Sequence, residues 1–377
     1  MKTYCYVGNW GKEGEGFSIV ICAYDPETGA LTELKRIAPE ISVGCLYQKD
    51  GILYCTHERE TLDGLRAGGG GLVLAYTIDP QTGGLKEISQ MPSCGAMAAY
   101  VVAQGDYVVA VNHATRDGHV TVMKRDRSGK YHIRIVYDES MTALFSRRPD
   151  GSVGELLDIF RTSGCGPVAG IQNSPHIHSV QVSPSGNLYC ICDKGSDRVY
   201  LLRIEGNTLQ NCGSFRTGAG YAPRYSVFHP QRPYLYVNNE LQPYLYALRY
   251  TEEGRLSEIA SVRVLPEDIE NPAGFGQSDL RISADGRFLY DLFRGVNAVA
   301  VFWIDEESGR PERIQYKALG GETPRGCALS PDGKHLLIAA IGSGEAKSFP
   351  VREDGTLGDQ DSALSCGTPG CLSFYTV

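Results

Sequence analysis

Apolar positions along the chain fall in short alternating or continuous runs, each bounded by turn residues. Runs at 17–24, 72–78, 199–204 and 298–304 are each followed by an acidic residue, a glycine one to four positions later, and another short run. Asp25-Pro26-Glu27-Thr28-Gly29 and Asp79-Pro80-Gln81-Thr82-Gly83 are the clearest copies. The recurring glycines are Gly29, Gly83, Gly151, Gly206, Gly254, Gly309 and Gly355, spaced 54, 68, 55, 48, 55 and 46 residues apart. Each copy predicts a hairpin turn, with glycine taking a positive φ and the acid bonding the backbone.

A second motif lies between these turns: Ser183-Pro184-Ser185-Gly186-Asn187-Leu188-Tyr189, Ser283-Ala284-Asp285-Gly286-Arg287-Phe288-Leu289-Tyr290 and Ser330-Pro331-Asp332-Gly333, with looser copies at 229–236 and 49–54. Two turns per period of roughly 50 residues give four strands per unit, the size of a propeller blade. Seven copies predict an all-β, seven-bladed β-propeller spanning 1–377 as one domain. The chain opens on what reads as the second strand of its first blade. The expectation is that the C-terminal strand joins the N-terminal blade, closing the ring and covering both edges. The 68-residue spacing carries about 20 extra residues; runs at 119–124 and 131–137 predict an inserted hairpin at about 116–139, between the second and third strands of blade three.

Composition narrows the function. The chain has 45 glycines among 377 residues, in line with many turns, and a formal charge of −8, which argues against a nucleic-acid partner. No apolar run reaches the ~18–20 residues of a membrane span, and the start shows no apolar signal core. The twelve cysteines lie mostly inside strand-like runs without a Cys-x-x-Cys pair, the pattern of reduced core thiols in a cytoplasmic protein. His176-Ile177-His178 lacks a third ligand at metal spacing, so no metal or other cofactor is expected.

In a propeller, innermost strands begin, and second strands end, at one mouth of the central channel. Innermost strands opening with proline plus one residue place His176, Arg224 and Arg325 there. Counting four residues beyond each motif tyrosine places Glu58, Asp193, Glu240 and Arg294 there. His178 shares the strand face of His176. Arginines and carboxylates gathered in one channel are costly unless they bind something, so a small anionic substrate is expected.

Tyr6-Val7-Gly8, Pro175-His176-Ile177-His178, Asp193-Lys194-Gly195, Pro223-Arg224, Asn239-Glu240-Leu241 and Arg294-Gly295 together resemble the seven-bladed propeller lactonases, which include 6-phosphogluconolactonases and carboxy-cis,cis-muconate lactonizing enzymes. The resemblance implies that His176, Arg224, Glu240 and Arg294 form the active-site cluster. The chain departs from the family pattern at Tyr225, at Asp279-Leu280-Arg281, at Leu292-Phe293 before Arg294, and at Lys194. These changes make Tyr225 and Arg281 candidate rim residues for substrate. The expected activity is opening of a sugar-phosphate lactone. Glu240 is the candidate base, His176 an alternative base or the proton donor to the leaving alkoxide, and Arg224 and Arg294 clamp a phosphate or carboxylate. His178, Asp193, Arg325 and Glu58 complete the substrate-binding set. Muconate-type lactonization and a non-catalytic binding propeller are the alternatives; the sequence leaves the oligomeric state open.

Overall fold

The structure is a computed structural model describing residues 2–10, 18–37, 41–61, 69–115 and 118–377. Every regular element in it is a β-strand, and all but two of the strands form seven four-stranded antiparallel sheets. Among the described residues no helix is long and apolar enough to cross a membrane. The sheets follow one another as propeller blades, as the repeats predict. Six run in chain order from the inside outward. The first is composite: Pro369–Thr376 is its innermost strand and pairs with Thr3–Asn9, so the ring closes between the two ends of the chain.

The burial gradient explains the sequence pattern. Second strands, sandwiched between neighbouring blades, are buried on both faces, as in Ile52–His57 and Tyr234–Asn239, and read as continuous apolar runs. Outermost strands such as Leu31–Ile37 are largely exposed and polar. The acid of the first repeat bonds its own turn: Asp25 Oδ1 accepts from Glu27 N at 3.0 Å, and Asp79 Oδ1 from Gln81 N at 2.8 Å. All seven repeat glycines have positive φ. In the second repeat the serine hydroxyl closes the turn, accepting from Leu188, Phe288 and His335 N at 3.1, 2.9 and 3.0 Å.

The repeat tyrosines tie blade to blade. Tyr6, Tyr54, Tyr236 and Tyr290 each donate their hydroxyl to the turn-glycine carbonyl of the next blade, at Gly83, Gly151, Gly309 and Gly355, over 2.9, 2.7, 3.0 and 3.0 Å. Each inserts its ring into the inter-blade core and satisfies its one polar atom at the far edge.

Blade three carries an extra antiparallel pair, His119–Arg125 with Tyr131–Tyr137, between its second strand, Tyr107–Asn112, and its third, Met141–Arg147. Residues 116 and 117, where the expected insertion begins, lie outside the described residues.

Candidate active site

The backbone breaks register at the channel mouth in every blade. Pairing of innermost with second strand shifts between Val43 and Leu46, Ala98 and Tyr100, Ile177 and Ser179, Pro223 and Ser226, Gln277 and Leu280, and Pro324 and Gly326; blade one shifts between Gly8 and Asn9. Such bulges re-aim side chains. In blades four, five and seven the residues released from pairing include His178, Arg224 and Arg325, and all three line the cleft of about 1010 Å³ at this mouth.

The second strands supply the rest by one rule. In blades four to seven the turn is closed by bonds from Ser183, His229, Ser283 and Ser330 N to Leu188, Tyr234, Phe288 and His335 O. Six residues after those acceptors stand Lys194, Glu240, Arg294 and Ile341. The same position, read from the hairpin pairs Lys49–Ile52 and Gln104–Tyr107, holds Glu58 and His113; in blade one, read from Tyr6, it holds Trp10. Six of these seven residues line the cleft. The seventh, Lys194, is bonded to one of them.

Glu240 is the centre of the cluster. Its Oε2 accepts from Lys194 Nζ at 2.7 Å and lies 3.4 Å from Arg224 Nε; its Oε1 accepts from Arg294 Nη2 at 3.0 Å. Burial alone would push this carboxyl up. Lys194, Arg294 and Arg224, in that order, outweigh burial and hold it well below its ordinary value of 4.5. Three cations around one carboxylate leave a local excess of positive charge. Burial, and then Arg294, push Arg224 down to about 10, still charged at neutral pH. Arg224 also donates to the Ser278 carbonyl and packs its guanidinium 4.9 Å from the Tyr225 ring.

A second pair stands beside the first. Arg325 Nη2 donates to Glu58 Oε2 at 2.9 Å, and its guanidinium lies 4.4 Å from the Trp10 ring centre. On the other side His113 and His178 meet edge to face at 5.6 Å. Burial, then the Arg224 charge, hold His178 well below 6.5; burial, then Lys194, do the same to His113. Both imidazoles are therefore neutral at neutral pH.

Thus Glu58, Arg224, Glu240, Arg294, Arg325 and His178 are brought together, and four other expected residues are not walls of the cleft. His176 is buried behind it, stacked on His113 at 4.7 Å with Nδ1 donating to the His113 carbonyl. Pro175 predicts His176 at the mouth; but Ile177, opposite Asp193, is the counterpart of Pro223 and Pro324, so His178 takes the bulge position. Asp193 brackets the strand end instead, accepting from His176 N, Gly195 N and Ser196 Oγ at 2.7, 3.0 and 2.6 Å. Tyr225 is packed between Tyr100, His178 and Arg224. Arg281 lies further along its strand from the mouth, bonding Asp279 Oδ2 and the Cys327 carbonyl and facing Tyr100 of blade three. Lys194, His113 and Trp10 belong to the site but are absent from the set the sequence predicts. Counting from Leu188 rather than Tyr189 finds Lys194, because this tyrosine stands one residue early in its motif.

The extra hairpin forms part of the cleft wall through His119, Val120, Val136 and Tyr137.

Comparison with known proteins agrees with this architecture. A 6-phosphogluconolactonase of Bacillus subtilis is 28% identical over 99% of this chain and 98% of its own length. A second, from Formosa agariphila, is 28% identical over 71% of each chain. Among solved structures, a periplasmic gluconolactonase of Pseudomonas aeruginosa superposes with a TM-score of 0.86 at 24% identity, covering all of both chains. A putative 6-phosphogluconolactonase of Bacteroides fragilis gives 0.83 at 24% identity, over 99% of this chain and 98% of that one. The family model described as "Lactonase, 7-bladed beta-propeller" matches residues 4–374, and the chain belongs to that family.

Proposed function

We propose that this chain hydrolyses a phosphorylated sugar lactone at the channel mouth. The observation that carries the reading is the excess of positive charge around Glu240: Lys194, Arg224 and Arg294 converge on one carboxylate in a cleft large enough for a sugar phosphate. Guanidinium groups suit phosphate and carboxylate alike. Family membership and the named relatives support lactone opening as the reaction.

Water adds to the lactone carbonyl carbon, and the ring C–O bond then breaks. The neutral His178 imidazole takes the proton from water and returns it to the departing ring oxygen. His178 is favoured over Glu240 as base because both Glu240 oxygens are already held by cations, which lowers its basicity. Glu240 instead fixes the cations, and Arg294, the most exposed of the three, faces the developing oxyanion or the phosphate. The twelve cysteines are free thiols, which supports a reducing, cytoplasmic setting.

The test is hydrolysis of freshly made 6-phosphoglucono-δ-lactone and of glucono-δ-lactone, each measured above its spontaneous rate. The phosphorylated lactone is expected to be preferred, and Arg294→Gln to lower its kcat/KM by about tenfold or more, equivalent to about 1.4 kcal/mol. Equal rates for both lactones, unchanged by Arg294→Gln, would remove the phosphate from the reading; no acceleration of either would remove the reaction.

A further inference from the structure

The hairpin of blade three is unlike the rest of the surface. Among the described residues, seven of the fourteen exposed large apolar side chains lie on its two strands. The register places Thr121 opposite Ile135, Met123 opposite Ile133 and Arg125 opposite Tyr131, all on one face. Met123, Tyr131 and Ile133 on that face are 62%, 61% and 71% exposed. The two strands pair only with each other in the described structure. An isolated two-stranded ribbon is at best marginally stable in water, and a contiguous apolar face of this kind marks an interaction surface.

The charge on the arm identifies the occupant. Residues 119–137 hold five Lys or Arg against one Asp, a net of +4, within a chain whose total is −8. The remainder therefore carries −12. Two such arms laid on each other would repel. An acidic surface facing the same way lies two to three blades round the ring: the loop between Arg263 and Gly276, where Glu267, Asp268 and Glu270 are exposed. Asn271 of that loop donates to the Leu241 carbonyl, next to Glu240, which places the loop at the cleft mouth, as the hairpin is.

We propose that the hairpin is a docking arm for a second copy of this chain. Each arm lies across the partner's mouth face, its cations against the partner's 267–270 loop and its apolar face covered. Seven residues at about 3.4 Å each give an arm about 24 Å long. Two reciprocal arms, each losing about 400 Å² and covering as much of the partner, remove about 1,600 Å² in total, the standard size of a stable complex. The contact is isologous and closes with two copies. Because the base of the arm forms part of the cleft wall, the partner also narrows access to the channel mouth.

Light scattering after size exclusion tests this on the full chain. The expected mass is twice 41.0 kDa. Reversing the arm (Arg125→Glu, Arg127→Glu, Lys130→Glu) and reversing the loop (Glu267→Lys, Asp268→Lys, Glu270→Lys) should each weaken dimerisation by about tenfold or more. Mixing the two variants should restore a dimer, since each arm then meets a loop of opposite sign; misfolded arms would not recover in this way. A monomer at all concentrations, a dimer indifferent to either reversal, or reversals that mixing fails to rescue would each overturn the proposal. So would arm-dependent binding of a monomer to phosphatidylglycerol vesicles, which would assign the arm to a lipid surface.

Discussion

Replacing Lys194 by Met tests the electrostatic centre directly. The ammonium is almost fully buried and bonds Glu240 at 2.7 Å, and methionine is of similar length without the charge. A hydrogen bond to a charged group contributes about 1.5–3 kcal/mol. Arg224 and Arg294 still face the carboxylate in the variant, and removing a third cation relieves its repulsion with them and the cost of burying it. The net loss expected at neutral pH is therefore about 1–3 kcal/mol. Its pH dependence carries the argument. Glu240 has a folded-state pKa depressed below 4.5, so its contribution is present above 4.5 and is lost as pH falls through the lower, folded value. Lys194 supplies the largest part of that depression after burial has acted against it. The difference between wild type and Lys194→Met should thus be greatest near neutral pH and shrink in acid. Urea unfolding from about pH 7 down to about pH 3 measures it. A difference constant across that range would refute the reasoning, because it would mean that the lysine stabilises by packing and not through an ionised Glu240.

His178→Gln should remove most turnover and leave stability at neutral pH little changed. In the wild type, the depressed His113 and His178 pKa values predict stability that is present above 6.5 and declines as pH falls below it, readable in the same titration. Gly355→Ala should cost about 2–5 kcal/mol in chemical denaturation, since a Cβ there meets the Phe288 ring at 2.2 Å from a backbone at φ +81°. A wild-type-like midpoint for that variant would show that the turn can shift without disturbing the tyrosine lock from Tyr290.

The architecture was legible because it repeats. Turn acids, turn glycines and apolar strands each recur seven times or nearly so, and independent copies correct one another. The site was legible where the repeat is regular: Glu240, Arg294 and Glu58 follow directly from their tyrosines. It misled where one residue is gained or lost. Tyr189 stands one position early, which hid Lys194 behind Asp193. Pro175 stands two positions before its counterparts in blades five and seven, which exchanged His176 for His178. The first offset shows in the sequence when the count starts from the motif's first residue, six positions before Tyr189 but seven before Tyr236 and Tyr290. The second is exposed by the backbone pairing, which makes Ile177 the counterpart of Pro223 and Pro324. The orientation of Arg281 depends on the Asp279 carboxylate and the Cys327 carbonyl of the neighbouring blade, contacts that no local pattern encodes.

Thr3 pairs with Thr376. During translation, the amino-terminal strand therefore leaves the ribosome long before its partner exists. Its inner edge, and the wall of blade seven that the final strand covers, must wait for nearly the whole chain to be made. Contacts this distant in sequence form slowly, and an open strand edge is a template for pairing with other chains. The interval between synthesis of the first blade and delivery of residues 369–376 is thus the period in which nascent chains are most prone to aggregate, and in which a holding chaperone would have most effect.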